Sequence, residues 1–90
     1  MQATVVHIDR FGNVITSIRW KDLAAGQFAL QAGGQSVPGP FRTYAGLQGL
    51  GALENSSGYL EIAAPNGSAA EALGVDIGEP VRLQPEHSLS

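Results

Sequence analysis

Three residues near the start of the chain could hold a ligand between them. Asp9, Phe11 and Asn13 fall at alternate positions in His7-Ile8-Asp9-Arg10-Phe11-Gly12-Asn13-Val14-Ile15-Thr16. A carboxylate binds an ammonium, an aromatic ring stacks on a flat heterocycle, and an asparagine amide pairs with a donor–acceptor edge. Together they suit a ligand that bears an amino acid or resembles a nucleoside. The plainer alternative is a solvated acid, a core phenyl and a turn amide, and residue types alone favour it. A second stretch, Asn55-Ser56-Ser57-Gly58, sets hydroxyls and backbone N–H groups ahead of Tyr59-Leu60-Glu61-Ile62-Ala63. Such groups hold an anion or carboxylate, or merely close a turn, and the turn is the commoner outcome.

Other groupings carry less. His7 and Asp9 share a strand face two residues apart, a spacing that suits metal ligands. No third ligand is evident, and His87 sits in the tail. Ser56 or Ser57 with His7 and Asp9 supplies the residue types of a hydrolytic triad, but no G-x-S-x-G elbow is present. Asn66-Gly67-Ser68 opens a helix, where an anion could bind. A capping box from Ser68 to Glu71 accounts for those residues, and there is no P-loop lysine.

Composition narrows the classes. Ninety residues make one small domain, and 43% apolar residues suit a globular core rather than disorder. Eight acids against five bases give a net charge of −3, with no basic run to meet nucleic acid. The absence of cysteine excludes disulfides, thiolate metal sites and a cysteine nucleophile. No apolar run approaches the roughly 20 residues of a membrane span, and the start lacks the pattern of a signal peptide. These features predict a soluble, cytoplasmic protein.

The elements that would position the candidates are short. A strand over 4–9, with Thr4, Val6 and Ile8 on one face, turns at Phe11-Gly12-Asn13 into a second over 14–20, with Val14, Ile18 and Trp20 on its apolar side. A connection over 21–26, with one helical turn over 22–25, leads to a short strand in which Phe28 and Leu30 alternate with Ala29 and Gln31, then to another over 35–37. Pro38 and Pro40 limit pairing beyond it. Residues 41–45 read as extended and 46–53 as a glycine loop with a weak strand end. A strand over 59–63 precedes the turn Pro65-Asn66-Gly67. A helix of about two turns follows Ser68 and stops at Gly74. A last strand covers 81–83, before a loose tail over 85–90. Seven or so short strands with one short helix predict an all-β fold, a small antiparallel barrel or sandwich.

The chain resembles a known family on five ordered stretches. They are Ile8-Asp9-Arg10-Phe11-Gly12-Asn13-Val14-Ile15-Thr16, Thr43-Tyr44, Asn55-Ser56-Ser57-Gly58-Tyr59-Leu60-Glu61-Ile62-Ala63, Gly67-Ser68-Ala69-Ala70-Glu71 and Gly78-Glu79-Pro80-Val81-Arg82-Leu83. They are similar to the C-terminal domain of the S-adenosylmethionine hydroxide adenosyltransferases, relatives of the adenosyl-fluorinase and chlorinase. The resemblance implies that an α/β N-terminal domain precedes this one in a trimer. S-adenosylmethionine then lies between one subunit's N-terminal domain and its neighbour's C-terminal domain. Water attacks the ribose C5′ carbon and displaces methionine, leaving adenosine. The molecule is substrate, and no cofactor is implied.

By the same likeness Asp9 takes the methionine ammonium, while Ser56 and the Ser57 backbone N–H take its carboxylate. Phe11 packs beside the ligand, Asn13 bonds the adenine, and the backbone near Asn66 meets its far side. Ser57 stands where the halogenating relatives carry arginine, and the Asp9-to-Phe11 spacing is one residue shorter; both point to the water-using branch. The water-activating and ribose-binding groups belong to the N-terminal domain, which these 90 residues lack. The expectation is a binding half-site without catalytic residues, inactive alone, that self-associates through its exposed interface. The alternative is a stand-alone β-barrel module for binding or assembly.

Overall fold

A computed structural model describes residues 1–85. Seven strands run in chain order: β1 (Gln2–Ile8), β2 (Val14–Arg19), β3 (Phe28–Ala32), β4 (Gln35–Gly39), β5 (Gly51–Glu54), β6 (Tyr59–Ala63) and β7 (Pro80–Pro85). They form one antiparallel sheet in the order β4-β3-β7-β1-β2-β6-β5. The two edge strands approach each other, and Phe41 bridges Leu53 beside them, so the sheet nearly closes into a barrel. Closure covers the edges that would otherwise offer unpaired backbone. The all-β expectation is correct.

Alternation explains the core. Val14 and Ile18 of β2, Phe28 and Leu30 of β3, Leu60 and Ile62 of β6, and Val81 and Leu83 of β7 all turn inward. A single helix, α1 (Ala69–Leu73), adds Ala69 and Leu73 to this core. The Ser68 Oγ accepts from the Glu71 N–H at 3.1 Å, and Gly74 ends the helix in the left-handed conformation, as its sequence predicts.

Five local readings need correction. In β1 the register shifts between Val5 and His7, so Val5 is buried while Val6 is exposed. A bulge of this kind breaks the alternation that put Val6 with Ile8. The helical turn expected over 22–25 is not there; a 3-10 turn at Trp20–Asp22 lies just before it, so Trp20 follows β2 rather than ending it. Residues 41–45 are not continuously extended; a 3-10 turn at Tyr44–Gly46 follows the bridging Phe41. The expected loop over 46–53 contains β5, whose Gly51 serves packing rather than flexibility. A Cβ there would stand 2.4 Å from Leu47 and 2.8 Å from Phe41. Of the tail, Pro85 belongs to β7, and residues 86–90, including His87, lie outside the described residues.

Beyond the main core lies a second apolar cluster. Phe41 and Leu47, from the segment that crosses outside β5 and β6, pack on Leu53 and Ala63. Both faces of β6 are therefore covered, and Glu61 is only 4% exposed.

Candidate functional site

The turn joining β1 to β2 is held by its own side chains. Asp9 Oδ1 accepts from the Phe11 N–H at 2.9 Å and the Asn13 N–H at 3.0 Å. Asp9 Oδ2 accepts from Asn13 Nδ2 at 3.1 Å. A carboxylate has roughly four acceptor positions, so three are filled locally. Burial tends to raise the Asp9 pKa, but the hydrogen bonds from Asn13 and Phe11 outweigh it, and His7 adds to their effect. The net shift is downward, and Asp9 is an anion at neutral pH.

The same turn docks on the helix start. The Gly12 carbonyl accepts from the Ala70 N–H at 2.9 Å. Gly12 has φ of 85°, and a Cβ there would lie 2.0 Å from Ser68 Oγ. Only glycine meets both demands. Phe11 is thereby turned outward, 65% exposed, with Arg10 stacked 5.0 Å from its ring centre. It is not the core phenyl of the plainer alternative.

Phe11 and Asn13 line an open groove of about 560 Å³ together with Tyr44, Ala64, Pro65 and Gly67. Asn66 is exposed between two of the lining residues, and its backbone neighbours rather than its side chain border the groove. The fold thus brings Asp9, Phe11, Asn13 and the 65–67 turn to one end of β6.

Ser56 and Ser57 lie at the other end. Asn55 Oδ1 accepts from the Ser57 N–H and from the Tyr59 N–H, both at 2.9 Å, and closes the turn. The donor expected to meet a carboxylate is thus engaged by Asn55, and a ligand must share or displace that bond. Ser57 and Asn55 border a second groove of about 690 Å³ with His7, Ile15, Ser17 and Tyr59. Across five strand residues the two turns stand on the order of 15 Å apart. Asn13, just before β2, and Ile15 and Ser17 on its outer side lead from one groove to the other.

Between the grooves is a pair without an assigned role. The Tyr44 hydroxyl donates a hydrogen bond to Glu61 Oε2. Burial raises the Glu61 pKa, with Asp9 adding to the rise against the Tyr44 hydrogen bond. Tyr44 is pushed up to about 12 by burial, by its bond to Glu61, and by the negative charge of Glu61 and Asp9. The sequence signal for Glu61 was an acid inside the apolar run Leu60-Glu61-Ile62-Ala63. The alternative triad finds no support in placement, since Ser56 and Asp9 belong to opposite turns. Among the described residues no three His, Cys, Asp or Glu side chains gather as metal ligands.

Comparison with known proteins identifies the architecture. Residues 3–82 match the family described as SAM hydroxide adenosyltransferase C-terminal domain. The chain belongs to this family. It is 42% identical over 84 residues to the (R)-S-adenosyl-L-methionine hydrolase of Thermus thermophilus, covering 91% of this chain and 31% of that protein. A crystal structure of a conserved hypothetical protein from Thermus thermophilus superposes with a TM-score of 0.75 at 41% identity, over 91% of this chain and 32% of that one. An uncharacterized conserved protein from Thermotoga maritima shares the fold, with a TM-score of 0.79 at 23% identity, over 92% of this chain and 35% of that one. The chain thus spans about a third of the length of these relatives.

Proposed function

We propose that this domain is the S-adenosylmethionine-binding half of an enzyme that hydrolyses the sulfonium to adenosine and methionine. In that reaction a water oxygen bonds to the ribose C5′ carbon as the C5′–S bond breaks. The bonding pair goes to sulfur, which becomes the neutral thioether of methionine, and the water's proton is released. The observation that carries the reading is the outward Phe11 ring beside the Asn13 amide, in a groove of a domain of this family. Bonded to Asp9 through one amide hydrogen, Asn13 keeps its Oδ1 and a second hydrogen for a donor–acceptor edge such as that of adenine. Phe11 covers the adenine face, and the backbone around Asn66 meets its far side.

The ligand then extends past Ile15 toward Ser56 and Ser57, which take the methionine carboxylate. Asp9 offers its remaining acceptor position to the ammonium. The two turns are separated by the length of β6, and both Asp9 oxygens are bonded within their own turn, so the two contacts stand or fall independently. Ser56→Ala and Asp9→Asn therefore test the two contacts separately.

No residue of this domain is assigned to catalysis. Displacing a thioether needs a positioned and desolvated nucleophile, and both grooves are open. An α/β domain from a neighbouring subunit of a homo-oligomer would close the site in the cytoplasm and supply the missing groups. Calorimetric titration of the purified chain with adenosine and S-adenosylmethionine tests the binding reading, with heat expected from both. No heat and no thermal shift from either would overturn it in favour of the stand-alone assembly module. Release of adenosine at an enzyme-like rate by the chain alone would overturn its assignment as an inactive half.

A further inference from the structure

The asparagines of the chain, Asn13, Asn55 and Asn66, differ in how they are held. Asn13 donates an amide hydrogen to Asp9 Oδ2 at 3.1 Å and precedes the β-branched Val14. Asn55 Oδ1 accepts from the Ser57 and Tyr59 N–H groups, both at 2.9 Å, and Ser56 follows it. Asn66 is exposed, and among the described residues none bonds its side-chain amide. Glycine follows it.

Pro65 and Asn66 form the middle of a turn whose ends, Ala64 and Gly67, meet as an isolated bridge. Glycine at 67 answers no demand of the fold. It is not among the glycines of positive φ, and a Cβ there would meet no atom within 4 Å. The Gly67 nitrogen is therefore unshielded on the side from which the Asn66 side chain reaches it. At Asn13 and Asn55 the following side chain crowds that approach, and the amide is tied elsewhere.

We propose that Asn66 is a site of spontaneous deamidation and that its conversion disables the groove beside it. The Gly67 nitrogen loses its proton and bonds to Asn66 Cγ; the Cγ–Nδ2 bond breaks and ammonia leaves. Water then opens the resulting succinimide. Breaking the bond from Gly67 N to Cγ gives aspartate. Breaking the bond from Gly67 N to the Asn66 main-chain carbonyl carbon gives isoaspartate, whose main chain runs through Cγ. The net change is amide and water to carboxylate and ammonium, so no redox partner is needed.

Either product puts a negative charge on the turn, beside the Glu71 that lines the same groove. Isoaspartate also lengthens the backbone between β6 and Ser68. Ser68 Oγ caps α1 and occupies the space that a Gly12 side chain would need, so displacement there reaches Phe11 and Asn13 through Gly12. The effect on binding rests on the adenine reading given above; the chemistry rests on Asn66 and Gly67 alone.

The test holds the purified chain at mildly alkaline pH and samples it over time. Cleavage after glutamates separates residues 55–61, with Asn55, from residues 62–71, with Asn66. Mass spectrometry follows amide-to-acid conversion, and enzymatic methylation of isoaspartyl groups identifies the isomer. Conversion should concentrate at Asn66, quicken as pH rises and yield both isomers. Gly67→Ala should melt like wild type and convert far more slowly. Aged chain, isolated by anion exchange, should bind adenosine about 5-fold more weakly than fresh chain, as loss of one hydrogen bond does. Asn66→Gln kept under the same conditions should retain its initial affinity. An Asn66 amide that outlasts Asn55, or a Gly67→Ala chain that converts as fast as wild type, overturns the site. If aged and fresh chains bind adenosine equally, the effect on the groove is overturned and the deamidation stands. If the fresh chain binds no adenosine, the adenine reading falls, and the mass record alone upholds or overturns the deamidation.

Discussion

Several polar side chains of this domain hold its own backbone in place. Thr16 is purely structural. It is fully buried, its hydroxyl donates to the Leu60 carbonyl at 2.8 Å and accepts from the Ile18 N–H at 3.2 Å. Those two bonds span the irregular register between β2 and β6 after Ile15. Thr16→Val should destabilise by about 1–3 kcal/mol, because both backbone groups lose their partner; urea unfolding measures it. Asp9 and Glu61 oppose each other in pH dependence. With its folded pKa below 3.8, Asp9 contributes stability present above that value and lost as pH falls through the folded pKa. Glu61 is raised above 4.5, so its contribution is full below 4.5 and is lost as pH rises through the folded pKa. From these two groups, the melting temperature should rise as pH drops from neutral toward 4.5 and decline below 3.8. Melts of Glu61→Gln should lack the upper limb, and melts of Asp9→Asn the lower. A monotonic curve for the wild type would refute this balance.

At the scale of elements, the β1–β2 turn and α1 form one unit. The turn places Phe11 outward and the helix start supports the turn through Ala70 and Ser68. Gly12→Ala should cost about 1–2 kcal/mol for the left-handed backbone and another ~1–3 kcal/mol for the contact with Ser68. Ser68→Ala, which removes only the cap, should cost about 1 kcal/mol. Both are read by denaturant unfolding. Adenosine affinity should fall with Gly12→Ala even in the folded fraction, because Phe11 and Asn13 flank that glycine.

At the scale of the whole molecule, both grooves open outward from the barrel. Val6 is 46% exposed beside the groove lined by His7 and Ile15, and Phe11 and Tyr44 are exposed at the other. Apolar side chains gathered in this way mark surfaces that another protein covers. The purified chain should therefore self-associate, and light scattering over a concentration series should show a mass above that of the monomer. A monomer at the highest concentration would count against that surface.

What the sequence determined by itself was local and periodic. Alternation in Phe28-Ala29-Leu30 and Tyr59-Leu60-Glu61-Ile62 defines strands, Ser68 and Gly74 bound the helix, and Gly12-Asn13 marks the hairpin. These signals survive because each depends on neighbours in the chain. The ordered stretches from Ile8 to Leu83 also carried the family. What only the tertiary structure decided were the non-local contacts. Gly51 reads as loop until Phe41 and Leu47 are packed against it, and Phe11 reads as core until Gly12 meets Ser68. Tyr44 and Glu61, 17 residues apart in sequence, become one pair only when the 41–47 segment crosses outside β6. Antiparallel pairing of β2 with β1 and β6 also put Asp9 and Ser56 at opposite ends of β6, a separation no spacing in the sequence discloses.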